Sequence, residues 1–278
     1  MAVELQSPGD HTVAGPRVLV VLPTYNEAEN IVSILERVRA SAPSADVLVV
    51  DDGSPDGTAE RVRWVGQRMP GVHLLERSTK DGLGAAYRAG FAWGLARHYD
   101  VLIEMDADGS HRPDDLPKLL SAMESGADLA IGSRYVPGGA IPNWKLSRRM
   151  LSRGGNRYAS MMLHLGVADA TGGFRAYRSG LLHRMDFASL GASGYGFQIE
   201  GTWKAVRTGA RVVEVPIRFE DREHGESKMS KSIVVEALRL VTKWGISERA
   251  TRVRSRLAHP FRGSNWAHAG LAGSKRGN

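Results

Sequence analysis

The sequence predicts an α/β protein with a mostly parallel sheet covered by helices, and three observations predict it. Short apolar, β-branched runs alternate with helical periodicity as far as about Gly132, the pattern of strand–helix–strand units whose strands lie parallel. Three of those runs stop abruptly in polar clusters: Pro23-Thr24-Tyr25-Asn26-Glu27, Asp51-Asp52 and Asp106-Ala107-Asp108. In a parallel sheet such clusters fall on one rim, at the carboxyl ends of the strands, where ligands bind.

Residues 17–22 form the first strand, closed by Pro23. Ile31, Ile34, Leu35 and Val38 then recur at helical spacing. Thr24 and Glu27 also fit a capping box for that helix, a purely structural use of the same residues. Residues 46–50 make the second strand, with a helix from about Thr58, and residues 72–75 the third. Gly82 and Gly84 open a helix that runs to Trp93. A dinucleotide fingerprint fails there because Tyr87 stands where its last glycine belongs. Glycines at a helix start still let a phosphate or ribose approach backbone N–H groups. The fourth strand begins at Val101, and a fifth ends in Gly132-Ser133-Arg134-Tyr135.

The second half differs in character. After a Pro/Gly loop, residues 144–156 mix arginines with Trp144, Leu146, Met150 and Leu151, and Met161 and Met162 follow. A helix of this kind lies on a membrane surface or packs with a solvated basic side. Residues 169–177, 195–200 and 211–219 read as further strands and a helix of the same domain. Residues 221–230 form a charged loop with a glycine, long enough for a lid over bound nucleotide. Residues 232–246 are amphipathic. The expected organisation is an N-terminal arm at 1–15, one folded domain at 16–248 and a basic tail at 249–278.

Asp106 and Asp108 follow a buried strand and precede Gly109. Aspartates before a glycine are ordinary turn chemistry. An EF-hand loop fails, since its sixth and twelfth positions are His111 and Pro117 rather than glycine and glutamate. Two carboxylates one residue apart, with water and phosphate oxygens completing the shell, instead suit Mg²⁺ or Mn²⁺ on a diphosphate. With three polar clusters on one rim, a nucleotide site with a metal is the better reading.

Composition narrows the class. The chain has 278 residues, 42% hydrophobic and 24% charged, ordinary for a soluble globular protein that folds without a disulfide. It has no cysteine, which excludes thiol catalysis and zinc–thiolate sites. Residues 1–15 carry acids and no apolar stretch, so they do not read as a signal peptide. No window reaches the roughly 18–20 apolar residues of a spanning helix. A cytoplasmic protein that touches the membrane from outside is expected. The net charge of +7 equals the seven Arg and Lys of residues 249–278, which contain no acid. Such a tail favours an anionic membrane or nucleic acid, or merely solubilises.

Taken together, the motifs around Pro23-Thr24-Tyr25-Asn26-Glu27, Asp51-Asp52-Gly53-Ser54-Pro55-Asp56-Gly57 and Asp106-Ala107-Asp108-Gly109-Ser110-His111 resemble family 2 inverting glycosyltransferases of the GT-A (Rossmann-like) fold. Later motifs are similar to those of dolichol- or polyprenyl-phosphate mannose synthases: Gly132-Ser133-Arg134-Tyr135, Ser152-Arg153-Gly154-Gly155-Asn156, Thr171-Gly172-Gly173-Phe174-Arg175, Gly194-Tyr195-Gly196-Phe197-Gln198 and Asp221-Arg222-Glu223-His224-Gly225-Glu226-Ser227-Lys228.

The resemblance covers residues 17–246 and implies transfer of mannose from GDP-mannose to a polyprenyl or dolichyl phosphate. It implies that Pro23, Tyr25, Glu27, Val50 and Asp52 hold guanosine, and that Asp106, Ala107 and Asp108 flank the diphosphate. It implies a metal on Asp106 and Asp108. Ser110 stands where some members have glutamine, which leaves the third ligand open between side chain and water. Arg134, Arg222 and Lys228 are expected on phosphates, and Arg134, Arg153 and Arg222 on the acceptor phosphate. Asp108, Arg134 and Arg222 are the expected catalytic set.

Many such relatives carry transmembrane helices after the catalytic domain. Here a basic tail with Trp266 replaces them, so peripheral binding to anionic lipid is expected, with a separate integral membrane protein as a candidate partner. The rivals are the same fold using UDP-glucose, a nucleic-acid binder acting through the tail, and a silent sugar-nucleotide-binding subunit. The body lacks a recognition helix or RNP-like aromatics, so no nucleic-acid partner is expected.

Overall fold

A computed structural model describes residues 15–220 and 231–258; side chains of 231–233 and 251–258 lie outside it. A seven-stranded sheet runs in the order β3-β2-β1-β4-β6-β5-β7. Its strands are β1 (Val18–Thr24), β2 (Asp46–Asp51), β3 (Val72–Glu76), β4 (Val101–Glu104), β5 (Leu129–Ser133), β6 (Arg175–Arg178) and β7 (Val212–Pro216). All pairs are parallel except those of β6, which runs antiparallel to both β4 and β5.

The expected mostly parallel sheet flanked by helices is what forms. Two apolar cores lie on its faces. One packs α1 (Ile31–Ser41), α2 (Thr58–Gly66) and α4 (Leu116–Glu124). The other packs α3 (Leu83–Leu95), α5 (Leu146–Leu163), α6 (Ser179–Arg184), α7 (Gly194–Arg207) and α8 (Lys231–Ala258). α1 shows the logic of sequence to layer: Ile31, Ile34, Leu35 and Val38 share one side of the helix and are all buried.

Four details depart from expectation. β1 continues through Pro23 to Thr24. The strand tolerates proline because the β1–β4 pairing ends at Val21↔Glu104, so the missing N–H falls beyond that ladder. The capping-box reading is corrected, since α1 starts at Ile31 with Asn30 before it, well past Thr24. Gly84 gives space for packing rather than for a ligand: a Cβ there would lie 2.8 Å from the Phe197 ring of α7. Finally, α8 runs on past residue 248 to Ala258. Residues 1–14, the loop 221–230 and residues 259–278 lie outside the described residues.

The chain reverses side between β1 and β4, so the carboxyl ends of β1, β2 and β4 meet at a topological switch point, the place where open α/β sheets bind ligands. The antiparallel β6 adds to it. Because β6 starts on the same rim, the loop of residues 169–174 that feeds it enters between the ends of β4 and β5.

Candidate active site

On the β1–β2 side, hydroxyls and backbone groups tie the strand ends together. Thr24 Oγ1 donates to Asp51 Oδ1 at 2.8 Å, and the Ser54 N–H and hydroxyl also reach Asp51. Asn26 N–H donates to Ser54 Oγ and Glu27 N–H to Thr58 Oγ1. Asp51 therefore builds the turn. Asp52, next to it, is buried and pairs with Arg77 at 2.9 Å. Burial raises its pKa, against the pull of Arg77.

Tyr25 is half-buried under the ammonium of Lys80, 3.4 Å from its ring centroid. The Glu27 carboxylate accepts from Asn30 Nδ2 at 2.8 Å. Pro23 lines the same edge, half-buried. Val50 does not: its side chain is fully buried in the core, where only backbone remains for a ligand. Ala107 is likewise buried. Among the expected guanosine residues, Pro23, Tyr25, Glu27 and Asp52 thus sit together at one edge.

At the end of β4 the chain turns after Glu104, so Asp106 and Asp108 stand in the turn rather than on the strand. Asp106 is part-exposed and accepts from the Tyr87 hydroxyl at 3.1 Å. Burial, and then the charge of Asp106, push the Tyr87 pKa far up, so it remains a donor. Asp108 is buried and accepts the Ser110 N–H at 3.0 Å. Below them Glu104 is wholly buried, and neither of its oxygens has a hydrogen-bond partner among the described residues. Burial pushes its pKa up to about 7, although Arg175 pulls the other way.

Beyond β6 the rim is cationic and aromatic. Arg134 directly follows β5 and is buried. Its Nε and Nη2 both donate to Asp169 at 2.7 Å, and Nη2 also to Thr171 Oγ1 at 2.8 Å. Burial disfavours its charge, but Asp169 more than offsets this and the guanidinium titrates above its usual range. Asp169 in turn is held low by Arg134 against the effect of burial, and Glu214 of β7 accepts its backbone N–H. The expectation that Arg134 reaches phosphate needs correction in part. The whole Nε–Nη2 edge serves Asp169 and Thr171, leaving only Nη1 for a ligand.

Aromatic rings space further arginines beside it. Arg134 lies over the rings of Tyr135, Trp144 and Phe219 at 5.3–5.5 Å. Arg148 sits on Trp144 at 3.8 Å, and Arg153 on Tyr135 at 5.4 Å. Tyr135 also donates to Ser152 Oγ at 2.6 Å. Arg153, an expected acceptor residue, is exposed at this wall. Arg148 joins it unforeseen. Arg222 and Lys228 lie outside the described residues.

The remaining motif residues are scaffold. Asn156 bonds Thr171 through both ends of its amide. Arg175, wholly buried, donates to the carbonyls of Ala170, Gly172 and Gln198. Glu200 accepts the N–H groups of Gly191 and Ala192. Gly172 is required by close approach, since a Cβ would come within 2.9 Å of the Gly132 carbonyl. Sequence reasoning missed Arg77, Lys80, Tyr87 and Asp169. The first two were legible as cations following β3 on the same rim.

Residues 19–185 match the family described as Glycosyl transferase family 2. The chain belongs to that family. This glycosyltransferase is 54% identical over 241 residues to an undecaprenyl-phosphate mannosyltransferase of Micrococcus luteus, covering 87% of this chain and 99% of the relative. It is 52% identical to a polyprenol monophosphomannose synthase of Mycolicibacterium smegmatis, covering 86% and 90%. A dolichol-phosphate mannosyltransferase of Pyrococcus furiosus is 34% identical over 82% of this chain and 64% of the relative.

Among solved structures, glucosyl-3-phosphoglycerate synthase of Mycobacterium tuberculosis superposes with a TM-score of 0.59 at 18% identity, covering 82% of this chain and 80% of the other. A mannosyltransferase of Pyrobaculum calidifontis in complex with GDP-Man and Mn²⁺ gives 0.53 at 19%, covering 91% and 77%. These two share its fold, and the expected GT-A architecture holds.

Proposed function

We propose that this glycosyltransferase moves mannose from GDP-mannose to the phosphate of a polyprenyl (or dolichyl) phosphate, inverting C1 and releasing GDP. The observation that carries the reading is two opposite charge sets on one rim. Asp106 and Asp108 stand in the turn after β4, while Arg134, Arg148 and Arg153 stand with their aromatic spacers beyond it. The loop of residues 169–174 joins them, since Asp169 holds Arg134 and Phe174 packs on His111 beside the acidic turn. The names of the M. luteus and M. smegmatis relatives support the same acceptor class.

Pro23, Tyr25, Glu27 and Asp52 form the guanosine edge. Mg²⁺ or Mn²⁺ would be held by Asp106 and Asp108. Among the described residues no three His, Asp or Glu gather into a metal cage, so donor phosphate oxygens would complete the shell, as suits a cation that arrives with its nucleotide. When bound, it supplies the charge that stabilises the departing diphosphate.

The acceptor is a phosphate monoester, anionic near neutral pH, so its oxygen needs little help from a base. That oxygen forms the new bond to C1 as the bond from C1 to the β-phosphate oxygen breaks, and the electron pair leaves with GDP. The chain's work is to hold two anions close. Arg148 and Arg153 suit the acceptor phosphate because planar guanidinium forks bind phosphate oxygens in pairs.

The acceptor's tail resides in a bilayer, and among the described residues no helix is long and apolar enough to cross one. Peripheral binding is therefore part of the proposal, on the cytoplasmic side that holds the nucleotide donor, with or without an integral membrane partner. Support lies in α5, where Leu146, Met150, Leu151 and Met161 are 54–70% exposed among Arg149, Arg153 and Arg157, with no acid in the helix. On α8, Val235, Leu238 and Ile246 are exposed near Arg239 and Lys243, whereas Glu236 and Glu248 turn to Ser193 and Trp203.

The test is transfer of label from GDP-[¹⁴C]mannose into organic-extractable polyprenyl phosphate with Mg²⁺, and with EDTA. Label that disappears with EDTA is expected. Transfer from UDP-glucose in place of GDP-mannose would overturn the donor assignment, and undiminished transfer in EDTA the metal.

A further inference from the structure

The acidic turn is held by a side chain from its own far end. His111 is 2% exposed, and its Nδ1 accepts the backbone N–H of Asp106 at 2.9 Å. Its ring lies nearly flat on Phe174, with centroids 5.2 Å apart and planes 19° apart. Phe219 meets it edge-on at 5.6 Å. Gly173 lies beside the ring, where a Cβ would be in ordinary van der Waals contact with His111 Cε1 at 3.4 Å. His111 also bridges to Phe219 through the backbone, and the Glu220 N–H donates to the Ser110 carbonyl at 3.2 Å. One imidazole therefore joins the 106–110 turn, the 169–174 loop and the segment ending at residue 220.

We propose that His111 is the positioning residue of the acidic turn. By accepting the Asp106 N–H it sets how Asp106 and Asp108 are presented to a divalent cation, and through Phe174 and Phe219 it keys that geometry to the arginine-bearing half of the rim. The inference rests on the metal–diphosphate reading above. Only histidine among natural side chains puts a short-range acceptor and a flat ring on one stem here. Phenylalanine keeps the ring alone. Asparagine can set its Oδ1 where Nδ1 stands, whereas glutamine reaches instead to the Nε2 position and leaves the Asp106 N–H without its partner.

The experiment measures Mn²⁺ binding in the presence of GDP, by electron paramagnetic resonance of free Mn²⁺, for the full chain and for H111F, H111N and H111Q. GDP binding without metal and thermal unfolding are followed alongside. Loss of a group that orients a metal ligand costs about 10- to 100-fold in metal affinity. H111F and H111Q are expected to weaken Mn²⁺ binding about tenfold or more, H111N to recover most of it, and metal-free GDP binding to stay the same in all four. Wild-type affinity in H111Q, or equal losses in H111N and H111Q, would overturn the role of Nδ1. If H111F does not fold, the H111N–H111Q pair decides. If the wild type binds no Mn²⁺ with GDP present, the metal reading itself falls and takes this inference with it.

Discussion

On the β4 side of the rim, Asp106 accepts a hydrogen bond from a tyrosine hydroxyl and Asp108 accepts one from a turn N–H. On the β5 side, Arg134 and Asp169 are spent on one another in a buried, bidentate pair. On the proposed reading, charge on the first side meets a cation that arrives with the donor. Charge on the second is divided, with Arg134 and Arg175 working as buried braces while Arg148 is half-buried and Arg153 exposed at the wall. The same residue type thus serves the scaffold at one position and, on the proposed reading, a ligand at another, and burial with a built-in partner tells them apart.

The sharpest way to break this comparison is to remove one acid from each side. Asp169→Ala leaves the Arg134 charge buried without its carboxylate and is expected to cost about 3–5 kcal/mol in urea unfolding. Combining it with Arg134→Met should recover much of that loss. Asp108→Ala should stay within about 1 kcal/mol of the wild type yet lower mannosyl transfer about a thousandfold, the scale of several kcal/mol of lost charge stabilisation. A stable Asp169→Ala protein, or a fully active Asp108→Ala one, would erase the distinction.

Glu104 sharpens the contrast among buried carboxyls. Asp169 has its pKa held down by Arg134, whereas burial takes Glu104 from its ordinary 4.5 up to about 7. A raised folded-state value means that the native state keeps the proton. Its contribution is therefore full below 4.5 and is lost as pH rises through 7. Glu104→Gln should flatten the stability profile across that window in EDTA. At pH 8 it should stabilise the protein by up to about 3 kcal/mol. Asp169 has the opposite sign, stabilising above its unfolded value near 3.8 and losing that stabilisation on acidification.

How much was legible follows the same divide. The β–α alternation and the clusters ending β1, β2 and β4 were readable because strand period, apolar runs and local turn chemistry are short-range signals. The antiparallel insertion of β6 was not, since residues 169–177 read as strand without stating which neighbours they join or in which direction. That insertion decides the second half of the site. Asp169 reaches Arg134 across 35 residues, and Asn156 reaches Thr171 across 15. The motifs around Asn156, Thr171 and Arg175 were conspicuous in sequence, but their conspicuous residues bind one another. Val50 shows the reverse case, a position expected at the guanosine whose side chain faces the core and which could meet a ligand only through its backbone.

The smallest effect expected is at Arg153, where the comparison is finest. Unlike Arg134 it is exposed, and its neighbour is the face of Tyr135 rather than a carboxylate. Removing it strands no buried charge, so Arg153→Ala should leave the unfolding midpoint nearly unchanged. A charge-assisted hydrogen bond to phosphate is worth about 1.5–3 kcal/mol, so the same change should raise the KM for polyprenyl phosphate about tenfold or more while that for GDP-mannose holds. Arg153→Lys keeps the charge but not the planar fork and should recover part of the loss. If acceptor and donor KM rise together, Arg153 serves the rim as a whole. If neither moves, the acceptor phosphate belongs to Arg148 and to the remaining Nη1 of Arg134, and the division between brace and ligand cation must be drawn one helical turn earlier in α5.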